Sequence, residues 1–169
     1  MSQFWYVLHS KPNREAFLYS QLCHRDIEVF YPRFHVEPVN PRARKSRPLF
    51  PGYLFVRVDL DEISLSSLLW VPGANQVVSF DHEPAKVPDE VIKTVKKQVA
   101  RINARPKGEK PRLKHGDPVM IHGGPFEGYQ AIFDTEIDGS ERVRLLIKLL
   151  HTRQIRIQVP ATMAKLQTA

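Results

Sequence analysis

The run Leu49-Phe50-Pro51-Gly52-Tyr53-Leu54-Phe55-Val56-Arg57-Val58-Asp59 constrains this chain more than any other. Pro51-Gly52 breaks or bulges it early, and a strand follows with side chains alternating between two faces. Leu54, Val56 and Val58 form one face, wholly aliphatic, which belongs in a core. Tyr53, Phe55 and Arg57 form the other, and two aromatics are unusual on a solvent face. Either a helix of the same domain covers that face or a partner does.

The flanking segments give this strand its neighbours. Phe4 to His9 is aromatic and β-prone and reads as a buried strand. Asn13 is placed to cap a helix reaching about Arg25, with Leu18 and Leu22 on one face. Ile27 to Val36 reads as a strand bent or frayed at Pro32, and Pro38 to Arg47 as a mobile loop or hairpin tip. Ile63 to Trp70 reads as a short helix stopped by Pro72-Gly73, and Asn75 to Phe80 as a further strand. Pro88-Asp89 opens a long helix with Val91, Ile92, Val95, Val99 and Ile102 at helical spacing. The order β-α-β-β-α-β-α makes the first part α+β, an antiparallel sheet flanked by helices.

Charge divides the rest. Net charge is +7. Residues 1–100 carry 13 basic and 11 acidic side chains, residues 101–115 six and one, and residues 116–169 six of each. The middle segment is Pro-rich and basic and reads as a flexible linker. A second basic cluster, Arg42, Arg44, Lys45 and Arg47, lies within the first part. Both point to contact with a nucleic-acid-rich assembly, or to solubility alone. After the linker, β-prone runs at Pro118–His122, Gln130–Asp134, Arg142–Leu150 and Gln154–Val159 are punctuated by glycines 123, 124, 128 and 139, a pattern that suits a small barrel of about five strands.

Enzymatic constellations are missing from the pattern. Seven histidines show no paired ligand spacing, Cys23 is the only cysteine, and there is neither a nucleophile elbow nor a P-loop. No metal, cofactor or catalytic residue is expected. No run approaches the roughly 18 apolar residues of a membrane span, and the N-terminus lacks a secretory pattern. A cytoplasmic protein, not bound to a membrane, is expected.

Trp5-Tyr6-Val7-Leu8 followed by Lys11, then Leu49 to Val56, Val71-Pro72-Gly73 and Val87-Pro88 resemble in order the N-terminal (NGN) domain of the NusG family of transcription elongation factors. Gly116-Asp117-Pro118-Val119 and Gly123 to Gly128 resemble the start of its KOW domain. Phe126 to Phe133 brings the chain closer to the specialised RfaH-type paralogues. The resemblance implies an NGN domain at 1–100, the basic linker at 101–115 and a KOW domain at 116–169. That last domain would be either an SH3-like barrel or, as in RfaH, an α-helical hairpin.

The resemblance also implies a function. The protein would be a monomeric elongation and antitermination factor that raises processivity. It would grip the clamp helices of the largest RNA polymerase subunit through His9, Phe50, Pro51, Tyr53, Phe55, Phe80, Ile92 and Val95. Lys11, Arg14 and Gln21 would meet the non-template DNA strand, and Ser64, Ser66 and Ser67 a second polymerase element. Phe126, Leu145, Leu146, Leu149 and Leu150 would make the interdomain or ribosome contact of the KOW domain, whose partner is a small ribosomal-subunit protein or Rho. Other readings are a general NusG-type elongation and termination factor, or a ribosomal or RNA-binding KOW protein.

Leu145, Leu146 and Leu149 can line one face of a helix able to cover Tyr53 and Phe55, whereas Val143, Leu145, Ile147 and Leu149 share a face in a strand. An interdomain ion pair of RfaH would fall near Arg47 and Arg142, two cations here, unless Glu141 serves as the partner.

Overall fold

The computed structural model describes residues 2–104 and 138–151, and the backbone of 152–158 as helix. The sequence-predicted strands at 118–122 and 130–134, the site residue Phe126 and most of the linker lie outside the described residues.

A four-strand antiparallel path runs β2 (Glu28–Phe30), β5 (Tyr53–Val58), β1 (Phe4–Ser10) and β6 (Ala74–Val77), and a fifth strand, β9 (Lys86–Val87), also pairs with β1. One edge of β1 pairs along its length with β5, from Phe4↔Val58 to His9↔Tyr53. The other edge is shared: Trp5 and Tyr6 meet β9, while Leu8 to Ser10 meet β6 across a register shift.

The register sorts the side chains into two layers, as strand alternation requires. Tyr6, Leu8, Leu54, Val56 and Val58 pack with Leu18 and Leu22 of α1 (Glu15–Cys23) and Leu68 of α2 (Leu65–Leu69). On the opposite face Trp5, Val7 and Phe55 pack with Val91, Ile92 and Val95 of α3 (Asp89–Asn103), and with Leu146, Leu149 and Leu150 of α4 (Gly139–Gln158).

Two Pro-Gly turns end β1. Tyr53 N–H donates to the Phe50 carbonyl at 3.0 Å and Ala74 N–H to the Val71 carbonyl at 3.0 Å. Gly52 and Gly73 sit at φ +84° and +92°, the position of such turns that favours glycine. Their carbonyls accept from Ser10 N–H at 2.7 Å and Lys11 N–H at 2.8 Å, so both turns converge on one strand end.

Several elements differ from the sequence-based expectation. Asn13 does not cap α1: it lies at φ +58°, and Arg14 precedes the helix without a side-chain cap bond. The strand expected over 27–36 is divided at Pro32, which cannot donate to a ladder. Its second half, β3 (Arg33–His35), leaves the sheet to pair with β4 (Ser46–Pro48) as a separate ribbon. Leu49 to Gly52 is turn rather than strand, and the segment over 75–80 is likewise broken into β6 and β7 (Ser79–Phe80), the latter pairing with β8 (Glu83–Pro84). The helix over 63–70 is shorter because Ser64 stands outside it as its cap.

Barrel strands and a helical hairpin were both open for the C-terminal part. The runs at 142–150 and 154–159, β-prone by sequence, form the single helix α4 as far as Gln158. Straight-chain leucines and arginines carry little penalty in a helix. The sheet face also rewards a stripe at helical spacing: Arg142, Leu146, Leu149 and Leu150 are buried, while Val143, Leu145 and Ile147 flank them half-buried.

Candidate functional site: an apolar sheet face under a terminal helix

The eight residues expected to form one surface fall into a buried group and a rim. Phe50 and Phe55 are fully buried, with ring centroids 6.0 Å apart in an edge-on arrangement, and Phe30 stacks on Phe55 at 5.9 Å. Ile92 and Val95 of α3 are buried in the same apolar cluster, and Phe80 and Tyr53 pack against it half-buried. Phe55 is therefore no exposed aromatic in this state. The reading in which a helix of the same domain covers this face holds for α3, and α4, from the C-terminal part of the same chain, covers it as well.

His9 lies at the rim opposite Tyr53 in register, with the two rings stacked at 4.6 Å and 22°. Its Nδ1 meets Asn75 Nδ2 at 3.1 Å. Burial against these neighbours lowers the His9 pKa, favouring the neutral ring, while the Glu15 carboxylate opposes this. Burial likewise raises the Tyr53 hydroxyl above its ordinary value. At neutral pH the rim is thus uncharged and aromatic.

The helix α4 is seated by specific contacts as well as by leucines. Buried Arg142 donates from Nε to the Leu49 carbonyl at 2.7 Å and holds its guanidinium 5.7 Å from the Phe34 ring centre. A Cβ on Gly139 would stand 2.7 Å from Pro51 Cγ, so the helix start fits against Pro51 only as glycine. At the far end His151 meets Phe80 edge-on at 4.5 Å. Arg142 bonds a backbone carbonyl, and Glu141 pairs with Arg144 at 3.2 Å within its own helix.

The other expected sites lie on the opposite side of the sheet or at its ends. Lys11 and Arg14 are exposed at the start of α1. Gln21 is half-buried, its Oε1 accepting from Arg25 Nη1 at 2.9 Å. Arg14 holds its guanidinium 5.6 Å from the ring centre of Phe17, itself 42% exposed. The turn at Gly73 abuts Phe17, since a Cβ there would come within 3.2 Å of its ring. Just before that turn stands Trp70, 85% exposed, which the sequence reading did not single out; a Trp directly before a Pro-Gly turn was the available signal. Ser64 Oγ accepts from Ser67 N–H at 3.1 Å and meets Ser67 Oγ at 2.8 Å, so two of the three hydroxyls serve the α2 cap. Ser66 and Ser67 are exposed.

Among the described residues no cluster of His, Cys, Asp or Glu is placed to hold a metal ion. No helix among them is long and apolar enough to cross a membrane.

Residues 3–96, which hold the sheet, α1, α2 and the first half of α3, match the family described as "Transcription termination factor nusG". This places the chain among transcription factors. It belongs to the NusG family.

The NusG protein of Deinococcus radiodurans, named a transcription termination/antitermination protein, is 26% identical over 175 residues, covering 88% of this chain and 92% of that protein. The Streptomyces virginiae protein of the same name is 25% identical across 86% of this chain, which spans 57% of its length. A solved structure titled "Domain interaction in Thermotoga maritima NusG" aligns over 75% of this chain and 76% of that one, at TM-score 0.45 and 22% identity.

Proposed function

We propose that the chain is an antitermination factor that raises the processivity of RNA polymerase and does no chemistry of its own. It grips the clamp helices through the sheet face of His9, Phe50, Pro51, Tyr53, Phe55, Phe80, Ile92 and Val95. The observation that carries this reading is the seat of α4. Its buried stripe joins the same apolar cluster as Phe50, Phe55, Ile92 and Val95, and it is held over Pro51 and Phe80. A helix that satisfies this face in the free protein occupies it in place of another molecule's helices, so binding requires α4 to leave. The apparent affinity is then the intrinsic one reduced by the fraction of open molecules.

The basic start of α1, Lys11 and Arg14, with Gln21 beside them, positions the non-template strand by its phosphates. Phe17, beside Arg14, and the exposed Trp70, which precedes the turn that abuts Phe17, offer stacking surfaces. The helical form of residues 139–158 supports a masked, RfaH-like resting state. Release of α4 frees the KOW region for a small ribosomal-subunit protein or Rho.

Capture of purified RNA polymerase tests the reading. The Leu146→Asp/Leu150→Asp chain, whose α4 cannot reseat, is expected to retain more polymerase than wild type. Adding Tyr53→Ala and His9→Ala to it is expected to return capture to background. Equal recovery by all three proteins removes the docking face.

A further inference from the structure

The β3–β4 hairpin carries a charge pattern that neither the sheet face nor the α1 site uses. It leaves the main sheet as its own two-stranded ribbon, Arg33↔Pro48 to His35↔Ser46, extended one step by Val36 N–H donating to the Lys45 carbonyl at 2.9 Å. Its base is anchored: Phe34 is buried under the Arg142 guanidinium, and Leu49 N–H donates to the Pro32 carbonyl at 2.9 Å. Beyond the base every residue from Val39 to Lys45 is exposed, and Val39 at the tip is wholly so.

Arg42, Arg44, Lys45 and Arg47 are all exposed, and among the described residues no ion pair reaches any of them. Glu37 is the only carboxylate between Val36 and Arg47. Four like charges on so short a segment repel one another, a cost that polyanion binding reverses.

We propose that this hairpin is a second nucleic-acid contact, a cationic ribbon that seats on the phosphates of double-stranded DNA with its tip in the major groove. A two-stranded ribbon fits that groove, which is about 8.5 Å deep. The arm from Val36 to Asn40 extends at most about 14 Å, long enough to reach the floor. Composition separates duplex from single strand. No aromatic residue lies between Val36 and Arg47, so the hairpin offers no platform for unstacked bases, while its four cations suit a phosphate backbone. It also lacks the apolar centre of a protein-binding patch. The contact needs neither polymerase nor the release of α4, because the tip is exposed with α4 seated.

The test compares the full-length wild-type chain with its R42Q/R44Q/K45Q/R47Q variant, titrating labelled mixed-sequence duplex DNA, the same strand alone, and duplex RNA at several salt concentrations. Four phosphate contacts contribute about −3.6 to the slope of log affinity against log salt. The variant's slope on duplex DNA is therefore expected to be shallower by roughly 2–4. Near 50 mM salt its affinity should fall on the order of 10²-fold relative to wild type. Smaller losses are expected on the single strand and on duplex RNA, whose deep groove excludes the ribbon. An unchanged slope on duplex DNA overturns the proposal, as does an equal loss on the single strand. Unchanged DNA binding with lost polymerase capture makes the hairpin a protein contact and also overturns it. All four positions are exposed, so the variant should fold, and polymerase capture by its sheet face should persist.

Discussion

Removing the side chain of Leu146 should release α4 without unfolding the sheet. Leu146 is fully buried at the centre of the stripe that α4 sets against Phe50, Phe55 and Val95. A buried Leu→Ala change costs about 2–5 kcal/mol, the transfer of the lost carbons plus the cavity left behind. Taking about 3 kcal/mol, and about 1.4 kcal/mol for each factor of ten, the ratio of seated to released helix falls by on the order of 10². Native-state trypsin digestion reads this ratio directly, because cleavage of a briefly opened segment follows the population of the open form. Arg144 and Lys148 lie on α4 and report its release, whereas Arg57 lies within β5 and is cut only when the sheet opens. Leu146→Ala is expected to raise cleavage at Lys148 by about two orders of magnitude and to change cleavage at Arg57 by less than a few-fold. Parallel increases at both places would refute the reasoning, since α4 would then belong to the same cooperative unit as the sheet.

Two further outcomes bear on the same design. Residues 116–169 produced alone lack the sheet face that rewards the leucine stripe, so their circular dichroism should show less helix than they contribute within the full chain; if both show only β signal for this region, there is no switch. Asp59 accepts hydrogen bonds from the Asp61 and Ser2 backbone N–H groups at 2.9 Å each, and these hold its carboxyl below the ordinary 3.8. Its contribution is therefore complete above that value and lost as pH falls through the lower folded-state pKa. The stability gap between wild type and Asp59→Asn in urea should close as pH is lowered from 5 into this acid range, and a gap independent of pH would remove the assignment.

Much of the N-terminal part was legible because it depends on short-range rules. Alternation in Tyr53 to Val58 divided the side chains into the two faces that the register produces, and 3.6-residue spacing marked α3 from Asp89 onward. The misplacements cluster where two local signals compete. Asn13 is a good cap residue but also one of the residue types that tolerate positive φ, and the second property prevailed. Pro32 was expected to bend or fray one strand, and it divides it, because the chain beyond it gains a separate partner in β4. What covers Phe55 stayed open, because strand alternation records which face a residue points to and not what lies above that face.

By itself the sequence determined the sheet, its two-faced central strand, the α3 stripe and the places where the basic residues gather. These follow from period, turn chemistry and charge, properties that a segment carries wherever it is placed. Tertiary structure alone decided the form of residues 139–158 and the state of the aromatic face. Val143 to Leu150 offers an apolar face both as a strand and as a helix, so its own pattern does not choose between them. The sheet face removes that balance: Leu146, Leu149 and Leu150 reach it together only at helical spacing, with Arg142 meeting the Leu49 carbonyl one turn before. A partner surface nearly a hundred residues away in the chain thus selects the fold of the helix that covers it.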